Sequence, residues 1–126
     1  MRNELALLAA ALLTLAVGAA HSYLGERYIL VRLFRRPDLP RLFGSSDFTV
    51  RTLRFAWHLT SVAWWGLAAV LVLLARPTLD HAAVGLVVGG TFLVHFAVAL
   101  VGSRGRHLAW VAFLAIGLLA ILGSRT

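Results

Sequence analysis

The sequence predicts an all-α integral membrane protein. The expected form is an antiparallel four-transmembrane-helix bundle with an Arg-rich interfacial connection between helices 1 and 2. Three observations carry that expectation. Of 126 residues, 60% are hydrophobic and 13% charged, far more apolar than a soluble domain of this length needs. The apolar residues fall into four long runs separated by the charges. When successive runs alternate in direction, nine arginines collect on one face (27, 32, 35, 36, 41, 51, 54, 104 and 106) and three on the other (2, 76 and 125).

The whole chain, 1–126, reads as a single membrane domain. Helix 1 is expected over about residues 4–24, with no charge between Leu5 and Ala20. At ~1.5 Å per residue, about 20 residues cross the ~30 Å hydrocarbon core. Gly18-Ala19-Ala20 resembles a signal-peptide cleavage site, but Met1-Arg2-Asn3-Glu4 lacks the net positive charge of a signal n-region, so a retained helix is expected. Residues 25–48 are expected to form an elbow lying in the headgroup layer. Arg and apolar residues interleave there, and Pro37 and Pro40 prevent a continuous helix. Arg32, Arg35 and Arg36 are its candidate contacts with lipid headgroups. Ser45, Ser46 and Asp47 are candidate caps for helix 2, expected over 49–75 and stopped by Arg76-Pro77.

Helix 3 is expected over 81–102 and helix 4 over 107–123. The short connections make neighbouring helices antiparallel. Gly85 and Gly89 stand four apart and would allow close helix approach, here read as a face for homo-oligomerisation. The arginine bias puts the Arg-rich face in the cytoplasm and both termini outside. All 12 basic residues are Arg, the signature of a GC-rich genome, so a bacterial inner membrane is the expected location. The formal charge of +7 lies between apolar runs, which favours anionic lipid headgroups over nucleic acid as the partner. No cysteine is present, which excludes disulfides and thiolate-held metals.

Histidine is costly inside an apolar run, and four of the five fall toward the Arg-rich face: His21, His58, His95 and His107. His58 and His95 come out at similar depth when residues are counted from the helix ends. With Glu26 these four are the candidate metal ligands, a donor set suited to Zn, Fe or Cu rather than Mg or Ca. Ser61, Trp65, Thr91, Arg51 and Arg54 share the helix faces of these histidines, as hydrogen-bond partners for the ligand rings or as pocket walls.

The expected function is therefore metal binding at a cytoplasmic-side histidine cluster, with a metal-dependent or redox activity if the ion kept an open position. No catalytic residue is readable from the sequence. Two alternatives stand beside it. His58 and His95 are placed to ligate a haem b axially, or His58, Ser61 and Trp65 to bind a quinone. Otherwise the chain is an accessory subunit of a membrane complex.

Overall fold

The computed structural model describes residues 2–125, with the Arg2 side chain outside the description. All of the regular structure among these residues is helical. Helix α1 starts as Arg2–Leu24 and runs on without interruption through a π-helical turn, Gly25–Leu30, and a last α turn, Val31–Leu33. Helix α2 is Asp47–Leu74, α3 is His81–Ser103 and α4 is Ala109–Gly123. The first three are long and apolar enough to cross a membrane. At ~1.5 Å per residue, the 15 residues of α4 extend only ~22 Å, short of a full hydrocarbon core.

Helix 1 is thus about nine residues longer than the expected 4–24, and the elbow shrinks to the stretch after Leu33. The reason is local. Arg27 and Arg32 break the apolar run but not the helix, because Arg is a good helix former. The chain turns only at the approach to Pro37, where the missing amide hydrogen stops the ladder. A tight turn follows, with Leu42 and Ser45 bridged across Phe43 and Gly44, both at positive φ. Ser46 precedes α2 without a side-chain cap, and Ser45 Oγ instead accepts the Asp47 amide at 3.3 Å. Asp80 caps α3 through the Ala82 amide at 3.0 Å.

The helices pack in chain order as an open row. Among the described residues, α1 packs on α2 alone, α2 on α1 and α3, and α3 on α2 and α4. This leaves apolar side chains exposed on the two outer helices, among them Leu5, Leu12 and Leu13 on α1 and Leu119 and Leu122 on α4.

Gly85 and Gly89 are covered within the chain. A Cβ at Gly85 would strike Ser124, and one at Gly89 would meet Gly117 O at 2.7 Å. The face expected to join two copies is occupied by α4 of the same molecule. Glycine spacing reports close approach without saying which helix approaches.

Candidate functional site

The seam between α1 and α2 holds a connected set of polar side chains. Helix α2 presents Arg54, Trp57, His58, Ser61 and Trp65 on one stripe, the three-and-four spacing of a single helix face. Helix α1 answers with Leu15, Gly18, Ser22, Gly25 and Glu26. The two indoles reach across to main-chain carbonyls, Trp57 Nε1 to His21 O at 3.1 Å and Trp65 Nε1 to Leu15 O at 3.2 Å. Glycine makes room for both. A Cβ at Gly18 would lie 2.5 Å from Trp65 Nε1, and one at Gly25 would collide with the Trp57 indole. Gly25 opens the π turn, whose wider winding carries Glu26.

His58 bridges two residues one helical turn apart on α1. Its Nδ1 lies 2.9 Å from Ser22 Oγ, and its Nε2 lies 3.2 Å from Glu26 Oε2. The second Glu26 oxygen pairs with Arg54 at 3.1 Å, and the Arg54 guanidinium lies 4.9 Å from the centre of the Phe34 ring. On the other side Ser22 donates to Ser61 at 2.7 Å, and Ser61 donates to Gly18 O at 2.7 Å.

The direction of every bond in this chain follows from its last acceptor. A carbonyl oxygen has no hydrogen to give, so Ser61 must donate to Gly18. The hydrogen of Ser22 then goes to Ser61, and Ser22 Oγ accepts from His58. That fixes a hydrogen on Nδ1. A neutral ring would face the carboxylate with a bare Nε2, acceptor against acceptor. Nε2 and Oε2 at 3.2 Å form a hydrogen bond only where a proton lies between them, and Arg54 takes the other oxygen.

The same logic limits the chemistry. Ser22, His58 and Glu26 lie within reach of one another as in a serine–histidine–acid relay. In such a relay the hydroxyl donates to the ring, whereas here it accepts, its proton committed to Ser61. Ser22 is thus placed as an acceptor from the ring and not as the nucleophile of such a relay.

On its other flank this stripe borders a groove of about 680 Å³ between α2 and α3, lined by Asp47, Val50, Arg51, Arg54, His58 and five further residues of both helices. Arg51 pairs with Asp47 at 3.1 Å and reaches Gly102 O at 3.5 Å, near the C-terminal end of α3. Arg51 and Arg54 stand one turn apart on the α2 side of this groove. Each guanidinium has five N–H donors, so these pairings leave unused donors on both.

The four histidines do not converge. His21 stacks on Trp57 at 4.6 Å with an interplanar angle of 4°, edge-on to Trp64, and its Nε2 is sealed without a partner. His95 bonds through Nδ1 to Thr91 O at 2.7 Å and packs against Phe92 and Phe113. His107 lies in the turn before α4, between Phe48 and Phe55, with Nδ1 accepting the Ala109 amide at 3.3 Å. Among the described residues, no three His, Asp or Glu side chains gather as a metal site.

The matched depth of His58 and His95 also dissolves. His58 borders a groove with Ala97 and Val98, while His95 lies level with Ala63 and Gly66. The five residues from 58 to 63 along α2 amount to roughly 7 Å. Glu26 serves His58 instead of the His21 it follows in sequence. Of the expected hydrogen-bond partners, Ser61 reaches His58 only through Ser22. The Thr91 hydroxyl turns back to Val87 O at 2.7 Å, and only its main-chain carbonyl meets His95. Arg36 is engaged by Asp38 through two bonds of 2.9 and 2.6 Å. Arg32, in the last turn of α1, and Arg35, just beyond it, have no described side-chain partner.

Sequence reasoning missed Ser22, Gly18 and Gly25. Ser22 and Glu26 stand four apart opposite His58 and Ser61, a pattern that shows once α1 is carried through Gly25. Compared with protein-family models, curated proteins and solved structures, the chain matches none.

Proposed function

We propose that this chain is an integral membrane protein that binds an acidic-headed amphiphile, an anionic lipid, in the groove between α2 and α3. The observation that carries the reading is the lining of that groove. Two guanidinium groups, Arg51 and Arg54, line it side by side with Val50, Phe55, Ala97, Val98 and Val101, so charge and apolar wall share one groove. A phosphate or carboxylate headgroup bonds to the fork of either arginine. The chain of the same molecule lies along the valines. Arg54 is then shared between the headgroup and Glu26, which ties ligand binding to the carboxylate that faces His58.

In this reading α1, α2 and α3 span the bilayer antiparallel to one another, and α4 enters it beside α3. The Arg-rich end faces the cytoplasm of a bacterial inner membrane, with both termini outside. Nine arginines against Glu26, Asp38 and Asp47 leave that end at +6 (9 − 3), which draws anionic lipid to the groove mouth. The reading uses His58 as the partner of Ser22 and Glu26 and not as a metal ligand. Elemental analysis of the purified protein tests the metal alternative on the same sample.

The direct test is native mass spectrometry of protein released from nanodiscs of equal phosphatidylglycerol and phosphatidylcholine. Wild type should retain phosphatidylglycerol selectively, and Arg51→Gln with Arg54→Gln should lower that retention by roughly tenfold or more, as loss of charge-assisted bonds implies. Arg32→Gln with Arg35→Gln, at and just beyond the end of α1, should leave it unchanged. Equal retention of both lipids by wild type, or equal losses from the two double variants, would reduce the groove to a general surface effect.

A further inference from the structure

A second site lies deeper between α2 and α3, and its central residue is His95. The side chain is only 8% exposed, yet it lines a cleft of about 250 Å³ with Ala63, Gly66, Leu67, Val70, Val88 and Phe92. Its Nδ1 is tied to Thr91 O at 2.7 Å. A carbonyl accepts, so the hydrogen is on Nδ1 and a neutral ring keeps Nε2 as a bare lone pair. No described group bonds to that nitrogen. It is also not sealed: among the described residues, the polar side-chain atoms closed in without a partner are His21 Nε2 and Thr52 Oγ1. His95 Nε2 therefore keeps some open surface, and the cleft is the cavity that its side chain lines.

We infer that this cleft binds a small, uncharged, hydroxyl-bearing aromatic molecule of the phenol or quinol class, whose O–H donates to His95 Nε2. Three features select that class. Apart from His95 and Thr91 the walls are aliphatic or aromatic, which excludes a charged ligand. The Thr91 hydroxyl gives its hydrogen to Val87 O, so both polar side chains are left as acceptors and the ligand must carry a donor. A lipid chain filling the cleft would leave the nitrogen unsatisfied at a depth that excludes water, a cost an O–H donor removes. The Phe92 ring, 5.6 Å from the imidazole, offers an aromatic face to a ring ligand. Thr91 does not compete, because its hydroxyl is spent on Val87 O at 2.7 Å. The inference shares only the membrane setting with the groove reading, and flotation of the reconstituted protein checks that setting by itself.

The test uses the full chain in nanodiscs, labelled with 15N-histidine, and two probes of nearly equal shape: 2-naphthol, which carries the donor, and 2-methoxynaphthalene, which lacks it. His95→Phe assigns the resonance. In wild type, 2-naphthol should shift the bare Nε2 signal of His95 saturably, and the methoxy compound should bind roughly tenfold more weakly without that shift, as loss of one hydrogen bond implies. Ala63→Phe fills the cleft while leaving the imidazole intact, and should abolish the shift with the other histidine signals unmoved. Equal binding of both probes, or a shift that survives Ala63→Phe, would overturn the inference.

Discussion

The two outer seams of this molecule are built by opposite means. Between α1 and α2 the contacts are polar: two indoles on carbonyls and a chain from Arg54 through Glu26, His58, Ser22 and Ser61 to Gly18 O. Between α3 and α4 the contacts are close approaches of backbone. A Cβ at Gly89 would meet Gly117 O at 2.7 Å, and one at Gly117 would meet Gly89 O at 3.0 Å. In hydrocarbon, the setting proposed for this chain, burying apolar surface adds little, so helices adhere through packing of small residues or through hydrogen bonds. The first seam takes the second route and gains a site. The other takes the first and gains only cohesion.

Glycine substitutions probe that contrast most strongly. Gly89→Ala puts a methyl against a carbonyl that cannot move without moving α4, so it should cost about 1–3 kcal/mol. Gly18→Ala meets the edge of the Trp65 ring, which is partly exposed and can swing away. Its cost should stay nearer the ~0.6 kcal/mol of the one interhelical bond lost. Unfolding of both variants by SDS titration in mixed micelles gives the order; the reverse order would remove the distinction between the seams.

Glu26→Gln acts on the polar seam alone. It deletes the charge that faces His58 and weakens the Arg54 contact, with an expected loss of about 1 kcal/mol, since the pair is only half-buried. The sharper readout is nitrogen NMR of the His58 ring. Wild type should show the Nδ1 hydrogen that Ser22 accepts, and Glu26→Gln should shift the Nε2 signal while leaving Nδ1 protonated. Because the chain has no cysteine, an engineered disulfide pair between α3 and α4 reports cleanly that the other seam is unchanged. Ser22→Ala is milder. It strands the Nδ1 hydrogen of His58 but leaves Ser61 bonded to Gly18, so about 1 kcal/mol or less is expected.

These residues also show what a sequence can and cannot disclose. The apolar runs fix where long helices form, because burial demands them. The cost of a histidine in such a run marks His58 as unusual from hydropathy alone. Depth along a helix follows from counting residues, so four histidines toward one end are legible. Rotation about the helix axis is set by packing, and it decides the outcome. His58 turns to α1, His95 to the cleft beneath it, and His107 to Phe48 and Phe55. Chain order joins Glu26 to the wrong histidine, because the π turn and the extension of α1 beyond Gly25 leave little trace in hydropathy. Gly85 and Gly89 announce a close approach whose partner only the fold can name.

The smallest expected effect belongs to the shortest ion pair. Arg36 and Asp38 meet at 2.6 Å in the connection after α1, both side chains 62% exposed. The Arg36 hydrogen bond, then one from the Asp38 amide, holds the Asp38 carboxyl below its ordinary range, and Arg36 is held above its own. A carboxyl lowered on folding contributes stability above its unfolded value and loses it as the pH falls through the lowered one. Any contribution of this pair is therefore full at neutral pH and fades only in acid below the usual carboxylate range. Water and salt screen both groups. Asp38→Asn should leave the SDS unfolding midpoint within error at pH 7 and should not change the acid limb of stability. The Glu26–His58 contact is longer, at 3.2 Å, yet Glu26→Gln should be the larger change. What separates the two is the company each carboxylate keeps: Asp38 faces solvent and one arginine, while Glu26 sits between two helices with a ring and a guanidinium that its removal leaves behind.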